Sequence, residues 1–498
     1  MKKIVLLLTG VICLLHLSSC SDFLNQTPSH QAEASTSIQS VSDAKVMIDG
    51  LMRKMGSTSY YGRNKMLYGD AKGGDYVVPA LGRSGGMDQL YTFGHTASSN
   101  SFSGYWVQIY NCLLQVNNLL SNIESLEASG AVMPGMDSYK GQALTLRALM
   151  YFDLVRLYGY PYTKDNGASL GVPLVINVLD VFETPKRATV AEVYTQILKD
   201  LGEGGPLLNK TRANGYVNYF ANRAILAKVN LYMGKYAESL AAAEEVLSSS
   251  LYTLYSNTSW LTSWASEFGS ESIFEIGIYL NESDGGSSSL GRTITRNQKL
   301  GAMGQFVASD YFLESLGEDA TDIRWGIMDY DEFSQEYSSS FTVTRLGCCN
   351  KYIGNVNGAG DKGGSSATAV NIKVIRLSEV YLIAAEAALP SNKSKAANYL
   401  QEIRKRSPNL APATETTVSI DMILTERQKE LFGEGQRFFD MMRLNRPITY
   451  NDEILMGGVG GNRAKTIDNW NFNRIVLPIS QAELDANQSI KDQQNPGY

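Results

Sequence analysis

The stretch from residue 221 to residue 247 constrains the fold more than any other part of the chain. Ala224, Ala227, Leu231 and Tyr232 recur at three- and four-residue spacing; Tyr236, Leu240, Ala243 and Leu247 then do so again, with Gly234 between the two sets. A period near 3.6 places each set on one face of a helix, and a glycine permits the reversal that brings the two faces together. Alanines at the facing positions let the helix axes approach closely. The chain therefore builds around antiparallel helix pairs.

The same spacing predicts helices over 42–55, 105–126, 137–157, 189–201, 217–233, 236–247, 374–388, 393–405 and 419–443. The fold class expected is mainly all-α, with the 221–247 pair reading as a tetratricopeptide-like hairpin. Further units are expected over about 137–160 and 371–406 beside that at 217–249. Such units also serve as partner surfaces. One helical domain is expected over 41–498, interrupted by two long polar, Gly/Ser/Asn-rich and aromatic-bearing insertions at about 68–104 and 248–370.

The amino terminus fixes an expected compartment. Met1, Lys2 and Lys3 open it, an apolar run follows from Ile4 to Leu17, and Leu17-Ser18-Ser19-Cys20 closes it. The run is too short to span a bilayer and ends in small residues, so 1–19 reads as a lipoprotein signal peptide. Acylation of Cys20 would anchor the chain without a membrane-spanning helix, and residues 20–40 read as a lipidated tether. Forty-four basic against 50 acidic residues give a net charge of −6 with no basic block, so nucleic acid is not an expected partner. With Cys13 in the signal and Cys20 lipidated, Cys112, Cys348 and Cys349 remain. That odd set excludes a disulfide framework and reads as packed thiols.

Little in the chain carries reaction chemistry. His30 lies in the tether, which leaves His95 alone to serve a nucleophilic triad. No cofactor is expected, and no metal, because no pair of His or Cys has ligand spacing apart from the adjacent Cys348 and Cys349. Asp70 and Asp75 are the nearest candidates for a glycosidase pair, although their Gly-rich setting reads more simply as acids capping backbone or accepting sugar hydroxyls. Opposite charges among Glu426, Arg427, Glu430, Glu434, Arg437 and Asp440 stand three to four apart and read as helix-steadying pairs, each contributing a few tenths of a kcal/mol. Arg376, Glu379 and Glu386 are expected to pair with them or with nearby backbone.

Several segments together resemble the SusD/RagB family, in matching order across nearly the whole chain. They are the lipidation site with Ser21, Asp22, Phe23 and Leu24; residues 146–159; residues 376–386; residues 424–431 with 434–443; and the closing 477–487 with 495–498. The resemblance implies a surface-exposed outer-membrane lipoprotein lying over a SusC-like TonB-dependent transporter. Such a protein captures oligosaccharide, or in some members peptide, and contributes no catalytic residues. A glycan-degrading enzyme and a scaffold without a small ligand are the alternatives of another class.

Sugar recognition needs flat apolar faces for the C–H side of a pyranose and amides, carboxylates or guanidinium groups for its hydroxyls. The first insertion offers Asp75, Tyr76, Arg83, Tyr91, Phe93, His95 and Asn100, with Trp106 assigned to the core. The second offers Trp260, Trp264, Tyr279, Asn281 and Trp325, alongside Arg296, Asn297 and Tyr330. The family's glycan site lies in regions corresponding to these insertions, so the carry-over is regional. Replacing Tyr76, Tyr91 and Trp260 by alanine is expected to weaken ligand capture and leave thermal stability near wild type.

Overall fold

The computed structural model describes residues 37–77, 88–99, 102–131, 133–180, 182–279, 289–297, 302–330, 346–354, 370–450 and 466–498. Eleven of the helices among the described residues frame its core: α1 (Val41–Met55), α2 (Asn64–Gly73), α3 (Ser103–Ala128), α4 (Met136–Tyr158), α5 (Val190–Gly204), α6 (Tyr219–Tyr232), α7 (Tyr236–Leu247), α8 (Leu377–Ala388), α9 (Lys393–Arg404), α10 (Ile420–Glu430) and α11 (Arg437–Arg443). The mainly helical class expected from the periodicity is what the chain adopts. Strands among the described residues form two-stranded pairs only.

Local chemistry explains where the helices begin. Ser40, Asn218, Asn392 and Ser419 each cap a helix by accepting from a backbone N–H in its first turn. Thr189 and Glu192 form a reciprocal capping box on α5. The reversal between α6 and α7 falls at Gly234, whose φ of +73° carries no penalty only in glycine.

α4 is buried along almost its whole length from Gly141 to Tyr158 and packs against α3 and α5. Its charges are paired internally. Arg147 grips Asp200 of α5 through two parallel bonds, Nε to Oδ2 at 2.8 Å and Nη2 to Oδ1 at 2.7 Å. Asp153 pairs with Arg156 and accepts from Tyr60 Oη at 2.7 Å and Tyr61 Oη at 2.8 Å. The helices from α6 to α9 follow as successive packed neighbours, α6 on α7, α7 on α8 and α8 on α9. The closing residues are tied back to this body, since the Asn495 side chain donates to the carbonyls of Tyr158 at 2.9 Å and Leu477 at 2.7 Å.

Two expectations need correction. Residues 419–443 do not form one helix: α10 ends at Glu430, and Gly433 and Gly435, with φ of +80° and +70°, turn the chain before α11. The segment 374–388 starts as a strand, Ile372–Arg376, and becomes helical only at Leu377. Cys112, Cys348 and Cys349 are buried and form no disulfide among the described residues, as packed thiols should be. Among the described residues no helix is long and apolar enough to cross a membrane, and residues 1–36, with Cys20 and the signal sequence, lie outside them.

Candidate functional site

Described parts of the second insertion are bound to the motif helices by a buried ion network. Arg376 donates from Nε and Nη2 to the two oxygens of Glu434, both at 2.8 Å, and from Nη1 to Glu430 Oε1 and Glu271 Oε2, both at 3.0 Å. Arg406 reaches Glu271 at 2.9 Å, and Arg324 bridges Asp322 at 2.7 Å and Glu426 at 3.1 Å. Lys351 donates to the carbonyls of Glu430 and Phe432 at 3.0 and 2.8 Å and to Glu434 at 2.5 Å. Burial pushes the Glu430 carboxyl up, but Arg406, Arg376 and Arg324 outweigh it and hold the group at about 2. Glu426, Glu430 and Glu434 therefore take buried partners from far along the chain and not the helix-surface partners that their spacing suggested.

That network consumes two of the expected sugar platforms. Trp264 is 3% exposed, with Lys351 Nζ 4.2 Å and the Arg376 guanidinium 5.0 Å from its ring centre. Trp260 is buried at its side, with Nε1 3.4 Å from Glu430.

The first insertion is also largely core. Residues 64–73 form α2, buried throughout and packed on α11. At Gly69 a Cβ would stand 2.1 Å from the carbonyl oxygen of Gly435, so only glycine admits this approach. Asp70 accepts from the backbone N–H of Gly435 at 3.1 Å and Gln436 at 3.2 Å, capping the turn into α11. Burial raises its carboxyl to about 7 against the pull of the Gly435 and Arg437 N–H groups. Asp75 accepts from Gln428 at 2.6 Å, and burial holds its carboxyl well above the usual range. These two acids support backbone and core, which is the simpler of their two expected roles.

Tyr76 packs against Phe432, with ring centres 4.8 Å apart, and Tyr91 is fully buried. Phe93 sits among Phe438, Tyr450 and Phe472. His95 has no exposed surface, and neither ring nitrogen has a hydrogen-bond partner among the described residues. Burial, with Lys72 and Arg474 nearby, holds its imidazole well below the usual range, so the group is neutral, and with no exposed surface it meets no substrate proton. Asp75, Tyr76, Tyr91, Phe93, His95, Trp260 and Trp264 are thus core residues in this structure. No face of theirs is open to a sugar, and alanine at Tyr76, Tyr91 or Trp260 would cut a cavity. Arg83, Asn100 and Asn281 lie outside the described residues, as do the side chains of Arg296, Asn297 and Tyr330. Trp106 is core, as expected.

Tyr279 and Trp325 remain accessible. Trp325 is half-buried and donates Nε1 to the carbonyl of Asp319 at 3.3 Å. Tyr279 is 55% exposed, and its ring lies over Gly277, where a Cβ would stand 3.3 Å from the phenol oxygen. The preceding Ile278 is fixed by its N–H bond to Asn371 Oδ1 at 2.9 Å and lines a shallow open crevice. Thr58, Ser289, Tyr352 and Val370 share that lining with three glycines, Gly56, Gly62 and Gly291. The Tyr352 hydroxyl is buried without a hydrogen-bond partner among the described residues. A flat exposed ring beside a crevice carrying hydroxyls suits a ligand with apolar C–H faces and many oxygens. Sequence reasoning named none of the crevice residues and only the neighbouring Tyr279. The signal for the rest was Gly56, where a Cβ would stand 3.0 Å from Ile278.

A helical scaffold whose long connections are locked to it by buried ion pairs, leaving an aromatic-edged crevice, defines a class of helical ligand-recognition folds. Residues 22–233 match a family described as "Starch-binding associating with outer membrane", and 334–498 match the one described as "SusD family". A SusD superfamily protein of Bacteroides thetaiotaomicron is 32% identical, with a TM-score of 0.83 over 92% of this chain and 100% of that one. A protein of Bacteroides vulgatus described as a putative sugar-binding protein is 32% identical, with a TM-score of 0.81 over 93% and 100% of the two chains. SusD-like protein P38 of Formosa agariphila is 22% identical over 549 residues, covering 100% of this chain and 99% of its own. The chain belongs to the SusD family. A laminarin-binding SusD-like protein, at 24% identity and a TM-score of 0.71 over 93% and 100% of the two chains, shares the fold.

Proposed function

We propose that this chain captures oligosaccharide at the outer membrane, anchored through Cys20, and passes it to a SusC-like TonB-dependent transporter. The observation that carries the reading is the exposed Tyr279 ring beside the crevice at Ile278 and Tyr352, in a chain 32% identical over 93% of its length to a putative sugar-binding protein. In this reading the ring stacks on a pyranose face while the half-buried Thr58 meets its hydroxyls. The protein binds and releases its cargo without breaking bonds. Trp325 is a second platform, and Arg83, Asn100 and Asn281 supply polar contacts.

The test is calorimetry and affinity gels with the soluble chain, begun after Cys20, against glycan and peptide libraries. A glycan that binds without release of reducing sugar supports the reading, and Tyr279→Ala should then weaken it ~5–10-fold, the equivalent of about 1–1.4 kcal/mol. Binding of peptides alone, or turnover of the glycan, would replace it.

A further inference from the structure

Lys65 on α2, Arg156 on α4 and Lys228 on α6 meet around a small cavity whose lining side chains are all buried. Leu149 and Ile225 form apolar wall and Gln436 a polar edge. Three cations share two carboxylates here, and both carboxylates are taken. Asp153 gives one oxygen to Arg156 Nη2, while its other accepts from Tyr60 and Tyr61 at 2.7 and 2.8 Å. Glu379 pairs with Lys228 at 2.7 Å. Lys65, 3% exposed, is left 4.0 Å from Asp153 Oδ1, beyond hydrogen-bond reach, with the Phe439 ring centre 5.2 Å from its Nζ. Arg156 is 7% exposed, and its Nη1 is buried with no hydrogen-bond partner among the described residues. Two donors of positive charge therefore stand unmatched at the wall of one cavity. A buried charge in that position either loses its proton or gains a counter-ion.

We propose that this cavity binds one small monovalent anion of chloride size, held by Lys65 Nζ and Arg156 Nη1, which ties α2 to α4. The space suits little more than such an ion and a water, which excludes a phosphate ester or a sugar acid. Gln436 Oε1, also buried without a partner among the described residues, is an acceptor and takes the water, not the ion. None of these side chains lines the crevice beside Tyr279, so the site is independent of glycan capture. Burial, with Arg156 adding to it and Asp153 opposing, depresses the Lys65 amine to about 7. An anion beside it favours the ammonium form, so the ion enters with a proton and is held less tightly as pH rises above that value.

The experiment soaks crystals of the wild-type chain in sodium bromide and records anomalous scattering from bromine. A peak is expected in the cavity within about 3.5 Å of Lys65 Nζ. In parallel, Tm is measured in about 100 mM chloride and in gluconate at the same ionic strength. Wild type should gain ~2–3 °C from chloride near pH ~7 and less at pH ~9. Lys65→Met should lose that gain and be no less stable than wild type in gluconate. A cavity that holds only water in the bromide map overturns the proposal, and so does a chloride gain that survives in Lys65→Met, which would put the ion elsewhere. Equal wild-type Tm in the two salts does the same. Should Lys65→Met fail to fold, the bromide map of wild type decides alone.

Discussion

Arg376→Met tests whether the buried ion network holds the insertion to the helices. The substitution keeps an unbranched side chain in place but removes four charge-assisted bonds, two to Glu434 and one each to Glu430 and Glu271. Removing one partner of a buried ion group costs roughly 3–5 kcal/mol, because the opposite charges stay buried. Here each carboxylate keeps another cation: Lys351 for Glu434, Arg324 and Arg406 for Glu430, and Arg406 for Glu271. The expected cost therefore sits at the lower end, about 3 kcal/mol. For a chain of this size, at roughly 2 cal/mol/K of unfolding entropy per residue, that lowers Tm by ~3 °C.

Urea titration followed by far-UV circular dichroism reads the stability, and Arg376→Lys should recover only part of the loss because an ammonium lacks the planar fork. An acid titration supplies an independent arm. Glu430 is held at about 2 against a usual 4.5, so its contribution is present above pH ~4.5 and lost as pH falls toward 2, amounting to about 3 kcal/mol. That acid limb should shrink in Arg376→Met. A variant as stable as wild type, with an unchanged acid limb, would refute the argument that these pairs fix the insertion.

Three further perturbations separate packing from charge. Lys72 is fully buried, among the rings of Tyr68, Phe93 and Phe438, with a single carbonyl at 3.5 Å; burial depresses its amine to about 7. The unfolded chain holds that proton up to pH ~10.4, so stability should rise between pH 7 and 10.4, and Lys72→Met should gain ~2–4 kcal/mol at pH 7 and flatten the rise; parallel Tm–pH curves for the two proteins would sink this. Gly69→Ala drives a Cβ to 2.1 Å from the Gly435 carbonyl oxygen, and should cost more than about 3 kcal/mol, read as loss of soluble protein or a lowered urea midpoint. Tyr76→Ala and Trp260→Ala should each cost roughly 3–5 kcal/mol of stability by cavity formation; unchanged Tm with lost glycan binding would return both residues to the ligand face.

The helical frame was legible because its signals are local. The 221–247 pair has its period, its small facing residues and its turn glycine within one short stretch, and α6 and α7 fall there. The break at 431–436 was written in Gly433 and Gly435, but charges at helical spacing on both sides imitated a continuous helix. Those charges in fact reach partners far along the chain, as Arg443 does to Glu386 at 2.6 Å. The aromatic residues of the insertions were harder still. Gly-rich polar surroundings read as loop, yet in α2 the glycines serve close packing, and Tyr76, Phe93 and Trp264 lie under charged side chains or other rings. Sequence spacing does not tell an aromatic that faces solvent from one that fills the space a glycine clears. Of the aromatics proposed, Tyr279 carries its ring outward, and Gly277 beneath it is the local reason.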